Sequence, residues 1–80
     1  MPKAYVLINT ESGSEDAVAK VLKKIEGVDE AYVAYGVYDI IAKIQAESMD
    51  ELKALITHRI RRVDKVRSTL TMLIVEEEAK

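Results

Sequence analysis

The apolar side chains of this 80-residue chain alternate between the two-residue period of a strand and the roughly 3.6-residue period of a helix. Ala4–Ile8 is a short run of β-formers, closed by the turn residues Asn9, Ser12 and Gly13. Ala17, Val18, Val21, Leu22 and Ile25 follow at helical spacing. Ser12 and Glu15 have the spacing of a capping box for that helix, with Ser14 as a second candidate cap. Asp16 at its start and Lys20, Lys23 and Lys24 near its end suit the helix dipole, and Gly27 predicts its stop. Val28–Tyr35 and Tyr38–Ala46 are strand-like again. Between them Tyr35-Gly36-Val37-Tyr38 predicts a tight hairpin, because Gly36 takes positive φ without penalty. Ser48 and Glu51 form a second capping-box pair, and Leu52, Leu55, Ile56 and Ile60 a second helical stripe that ends in Arg59, Arg61 and Arg62. Val66–Val75 reads as the last strand, and Glu76–Lys80 as a charged tail expected to fray.

The order is therefore βαββαβ. Short connections and right-handed crossovers make this an α+β, ferredoxin-like sandwich: a four-stranded antiparallel sheet with two helices on one face. Residues 1–80 form a single domain, with room for one thin core.

The helices of such a sandwich leave one sheet face bare, yet several strands are apolar on both parities. Tyr5 and Leu7 oppose Val6 and Ile8; Leu70, Met72 and Ile74 oppose Leu73 and Val75; Ile41 opposes the Ile40 set. Strands apolar on both faces are normally covered on both. The chain has no residues left to supply the second cover, so the sequence predicts a homodimer through the sheets.

Composition removes many chemistries. There is no cysteine, so a disulfide scaffold, a zinc finger and a thiolate nucleophile are excluded. One histidine, His58, supports neither a triad nor a metal site. The formal net charge is −2, and no apolar run approaches the roughly 18 residues of a membrane span. These features read as a cytoplasmic protein with no membrane partner, no metal and no cofactor. Arg59, Arg61, Arg62, Lys65 and Arg67 make the most basic stretch, which suits contact with phosphate and which helix-end charge and solvated loops explain as well. Tyr5, Tyr32, Tyr35 and Tyr38 do not form the paired strand aromatics that stack on RNA bases. The Glu76–Glu78 run reads as a solubilising tail.

One constellation has chemical content. The Gly36–Asp39 turn sets a carboxylate beside a bend, and Thr69 and Thr71 place two hydroxyls on one face of the last strand, next to Ser68. A free amino acid needs an acceptor for its ammonium group, which Asp39 supplies. It also needs donors for its carboxylate, which turn N–H groups and the threonines supply. Ordinary turn chemistry and strand propensity account for the same residues, so the residues alone leave both readings open.

The Gly36-Val37-Tyr38-Asp39 turn with the strand that follows, the helix end Ile25-Glu26-Gly27-Val28, and the segment Val66–Thr71 together resemble the C-terminal effector (RAM) domain of the Lrp/AsnC transcription regulators. The resemblance runs from Ala4 to Glu76. It implies a non-enzymatic module for a free amino-acid effector. By position, Gly36, Tyr38, Asp39, Thr69 and Thr71 match the family's effector-binding elements. The resemblance further implies homodimers that assemble into an octamer or decamer, with the amino acid held between dimers. Full regulators carry a helix-turn-helix ahead of this domain. Here the first strand begins just after Met1, which predicts a stand-alone form that associates with full-length regulators and does not bind DNA specifically by itself. Two other functions fit the same topology: an ACT-like amino-acid-binding module regulating a metabolic enzyme, and a small dimeric ferredoxin-like enzyme. The second relies on buried His, Asn or Trp constellations not found in this sequence.

Overall fold

A computed structural model describes residues 1–75; the charged tail from Glu76 lies outside the described residues. Its elements are β1 (Lys3–Thr10), α1 (Glu15–Lys23), β2 (Val28–Val33), β3 (Ile40–Gln45), α2 (Met49–Ala54), a π-helical segment continuing α2 (Leu55–Ile60), and β4 (Val66–Ile74). The four strands form one antiparallel sheet in the order β2-β3-β1-β4. This is the βαββαβ sandwich that the alternating periods predict.

The register sorts every strand residue onto a face. Ala4, Val6 and Ile8 of β1 pair with Ile44, Ala42 and Ile40 of β3, and all six are fully buried against the helices. From α1, Val18, Ala19 and Leu22 cover them; from α2 and the π segment, Leu52, Leu55 and Ile60 do. Each side chain in this core stabilises the fold by roughly 1.5–3 kcal/mol if a Val, Leu or Ile.

The opposite face is a second apolar layer. Tyr32, Ile41, Leu7 and Leu70 are directly paired across β2, β3, β1 and β4, so one rung of apolar side chains crosses the whole sheet. Tyr5 and Met72 continue it in the next rung, beside Lys43 and Glu30. Leu73 pairs with Ala4 and so lies on the helix side, at the less covered β4 margin.

Three local expectations need correction. The Ser12–Glu15 capping box does not form: Ser14 is the N-cap, and its side chain makes no capping bond. At φ −102°, ψ 3° Ser14 is not extended, the conformation that aims an N-cap oxygen at the first turn. Gly27 is not the residue that ends α1, whose C-cap is Lys24. Gly27 sits at φ +101°, where a Cβ would lie 2.8 Å from Leu55 Cδ2 and 3.1 Å from the Gln45 carbonyl oxygen. Its constraint is the close approach of the π segment. Finally, the second helix is not α-helical throughout. Leu55 and Ile60 are both buried but five residues apart, about 140° out of register on an α-helix. Widening to π geometry, with Arg61 N–H donating to the Ile56 carbonyl at 2.9 Å, turns both toward the sheet. The second capping pair does act: Ser48 Oγ accepts the Glu51 N–H at 3.1 Å.

Candidate functional site

The Gly36 hairpin forms as its sequence predicts. Ala34 N–H donates to the Asp39 carbonyl at 2.8 Å, closing a loop over Tyr35–Tyr38, with Gly36 at φ +144°. Tyr35 and Val37 project fully into solvent at its tip, while Tyr38 is half-buried. Asp39 stands at the base, where its N–H extends the β1 ladder by donating to the Ile8 carbonyl at 2.9 Å.

The Asp39 side chain has a structural partner that the sequence did not announce. Its Oδ2 accepts the Thr10 N–H at 2.9 Å, and Thr10 Oγ1 is 3.5 Å from the same oxygen. Thr10 is buried at the point where the β1–β4 register slips. The β1–β3 ladder ends at Ile8 and Ile40, so the Thr10 N–H, which points to the β3 side, meets no strand carbonyl, and the Asp39 carboxylate supplies the acceptor.

Asp39 also lines a cleft of about 370 Å³ with Asn9, Thr10, Arg67 and Ser68. A second cleft of about 460 Å³ adjoins it along β4, lined by Ile56, Arg61, Val66, Arg67, Ser68, Thr69 and Thr71. Arg67 and Ser68 belong to both. The five residues singled out in the sequence are thus divided. Asp39 holds the first cleft, Thr69 and Thr71 share the second, and Gly36 and Tyr38 line neither, belonging to the hairpin above Asp39. Asn9, Arg61 and Arg67 are brought in by the fold. The signal for the arginines was present in the basic run, but that run does not stay together: Arg59 lines a separate groove with Glu26, Asp29 and Glu47.

Asp39 and Arg67 face one cleft without pairing. Among the described residues the one ion pair is Lys65 Nζ to Glu11 Oε1, at 3.8 Å across two exposed side chains. Lys65 itself adopts φ +77°, unusual for a residue with a Cβ, immediately before β4. Its carbonyl accepts the Glu11 N–H at 2.9 Å, which ties the start of β4 to the loop after β1 and so fixes where Arg67 and Ser68 begin. Among the described residues there is no cluster of acidic or histidine side chains arranged for a metal ion, and no helix long and apolar enough to cross a membrane.

Residues 3–80 match the model of the Lrp/AsnC ligand binding domain. The chain belongs to this family. The regulatory protein AsnC of Escherichia coli is 28% identical over 71 residues, 89% of this chain and 46% of AsnC. The solved AsnC structure shares the fold with a TM-score of 0.89, covering 99% of this chain and 54% of that one. A Neisseria meningitidis transcriptional regulator solved in complex with L-Met is 11% identical and has the same fold, with a TM-score of 0.85 over 99% of this chain and 53% of its own. Homocitrate synthase of Saccharolobus islandicus is 41% identical over 61 residues, 76% of this chain but 13% of the enzyme. The chain spans about half the length of AsnC, so the likeness concerns this domain and not the remainder of that protein.

Proposed function

We propose that this chain is a non-enzymatic sensor that binds a free amino acid at the Asp39–Arg67 cleft and passes the signal on through protein contacts. The observation that carries the reading is a carboxylate and a guanidinium lining one small polar cleft without pairing with each other. A zwitterion matches that pair: its ammonium group is received by Asp39, its carboxylate by Arg67 and Ser68. Membership of a ligand-binding family, and the L-Met bound by a regulator of the same fold, support the ligand class.

The second apolar sheet face supports a homodimer through the sheets, and the projecting Tyr35–Val37 tip supports further contacts between dimers, in an octamer or decamer. The Asp39 cleft then sits at the base of the hairpin, where a neighbouring copy closes over the amino acid. Among the described residues there is no helix-turn-helix, and the chain carries a net charge of −2, so an effect on transcription in the cytoplasm would run through full-length regulators. Isothermal titration calorimetry with the twenty common amino acids tests the reading. Saturable binding of at least one, weakened by Asp39→Asn, is expected; no binding by any of them would overturn it.

A further inference from the structure

We propose that the effector is an amino acid with an acidic side chain, whose second carboxylate is held by Arg61 with Thr69 and Thr71; this rests on the amino-acid site described above. Among the described residues Asp39 is the single carboxylate lining either cleft, against two guanidinium groups, Arg61 and Arg67. A ligand of zero net charge satisfies Asp39 and Arg67 and leaves Arg61 unmatched. A ligand with one ammonium and two carboxylates satisfies all three.

The order of groups along β4 agrees with the connectivity of such a molecule. Asp39 lies in the first cleft, Arg67 and Ser68 are shared, and Arg61 faces Thr69 and Thr71 in the second. The ammonium and α-carboxylate of an amino acid are joined through one carbon, and the side chain leads away from both. Ser68 pairs with Asn9 on the open face, whereas Thr69 and Thr71 pair with Ile8 and Val6 on the helix side; with the first two groups seated at Asp39 and Arg67, the side chain passes round the edge strand β4 at Arg67 and Ser68 into the cleft of Arg61. Two hydroxyls and a guanidinium are donors suited to a carboxylate. Arg61 is also placed by an unusual backbone. Its N–H closes the π turn onto Ile56, and both residues line the second cleft. Departures from regular helix of this kind are frequent at functional sites. Arg61 has no acidic partner among the described residues, so no ion pair has to be broken for a ligand to enter.

The test is calorimetry on the full 80-residue chain with L-glutamate, L-aspartate, their amides L-glutamine and L-asparagine, and glutarate, which lacks the ammonium group. Glutamate or aspartate is expected to bind about tenfold or more tightly than its amide, the gain from a negatively charged over a neutral acceptor facing a guanidinium. Arg61→Met should abolish that ratio by weakening the acid far more than its amide, and Arg61→Lys should keep most of it. Glutarate should bind more weakly than glutamate. If an amide binds as well as its acid, or the ratio survives in Arg61→Met, the acidic class is wrong while the amino-acid site stands. Glutarate binding as tightly as glutamate would remove the role given to Asp39. If no amino acid binds, both the site and this inference fall. Should Arg61→Met change the oligomeric state but not the ratio, Arg61 is an assembly residue and the proposal fails.

Discussion

Asp39 serves the fold before it serves any ligand, because Oδ2 satisfies the N–H of buried Thr10. Removing that acceptor strands a buried donor, which costs about 1–3 kcal/mol. Asp39→Ala should therefore lower the urea midpoint of unfolding by a corresponding amount, an effect not foreseen from turn position alone. Asp39→Asn keeps an amide oxygen for the Thr10 N–H but loses the negative charge. It should unfold within about 1 kcal/mol of the parent, yet bind its amino acid at least tenfold more weakly, since charged hydrogen bonds are the stronger ones. Equal stability losses in the two variants would mean that the charge, not the acceptor, holds the β1 end. Why position 39 carries Asp was half legible in the sequence. Its place after Gly36 marked it, but the bond to Thr10 spans 29 residues and depends on where the β1–β3 ladder ends, which no local pattern signals.

At the scale of elements, Gly27 joins three of them. It lies just before β2, its carbonyl accepts the Gln45 N–H of β3 at 2.9 Å, and it faces Leu55 of the π segment. Gly27→Ala adds a Cβ at 2.8 Å from Leu55 Cδ2 and 3.1 Å from a backbone oxygen, and leaves alanine at φ +101°. Overpacking and the left-handed backbone each cost on the order of 1 kcal/mol or more, so thermal unfolding should drop by several degrees. A variant with an unchanged transition would show that Leu55 and the backbone relax freely. Gly36→Ala meets no neighbour within 4 Å and carries the conformational cost alone, so it should be the milder of the two. Element order and the hairpin were legible because period and a single glycine encode them locally. The π turn was not: Leu52, Leu55, Ile56 and Ile60 read as one regular stripe, and the buried spacing of five between Leu55 and Ile60 emerges only once the sheet dictates which of them must face it. Arg61 and Arg67 were visible as charge but not as a pair, because β4 meets the π segment through the fold and not through sequence.

For the whole molecule, the question is what covers the rung Tyr32–Ile41–Leu7–Leu70. Ile41 sits inside that row, on a central strand, and is 37% exposed in the single chain. In a twofold sheet-to-sheet dimer it would be buried near the axis, and a substitution there appears once in each copy. Ile41→Lys puts two ammonium groups into that interface. Its neighbours in the rung are Tyr32 and Leu7, neither of which carries a compensating charge. At about 2 kcal/mol for each poorly partnered polar group, the dimer should weaken by roughly a thousandfold, from fully assembled to largely dissociated at micromolar concentration. The core behind Ile41 consists of Ile40, Ala42 and their partners on the other face, so the monomer itself should stay folded, with an unchanged far-UV circular dichroism spectrum. Leu73→Lys is the matched control. Leu73 is 45% exposed but lies on the helix side at the sheet margin, so lysine there reaches solvent without crossing the proposed interface. Light scattering should thus give a smaller particle for Ile41→Lys than for Leu73→Lys. Equal masses for the two variants, or a parent chain that already runs as a monomer at that concentration, would mean that this face is not where copies meet.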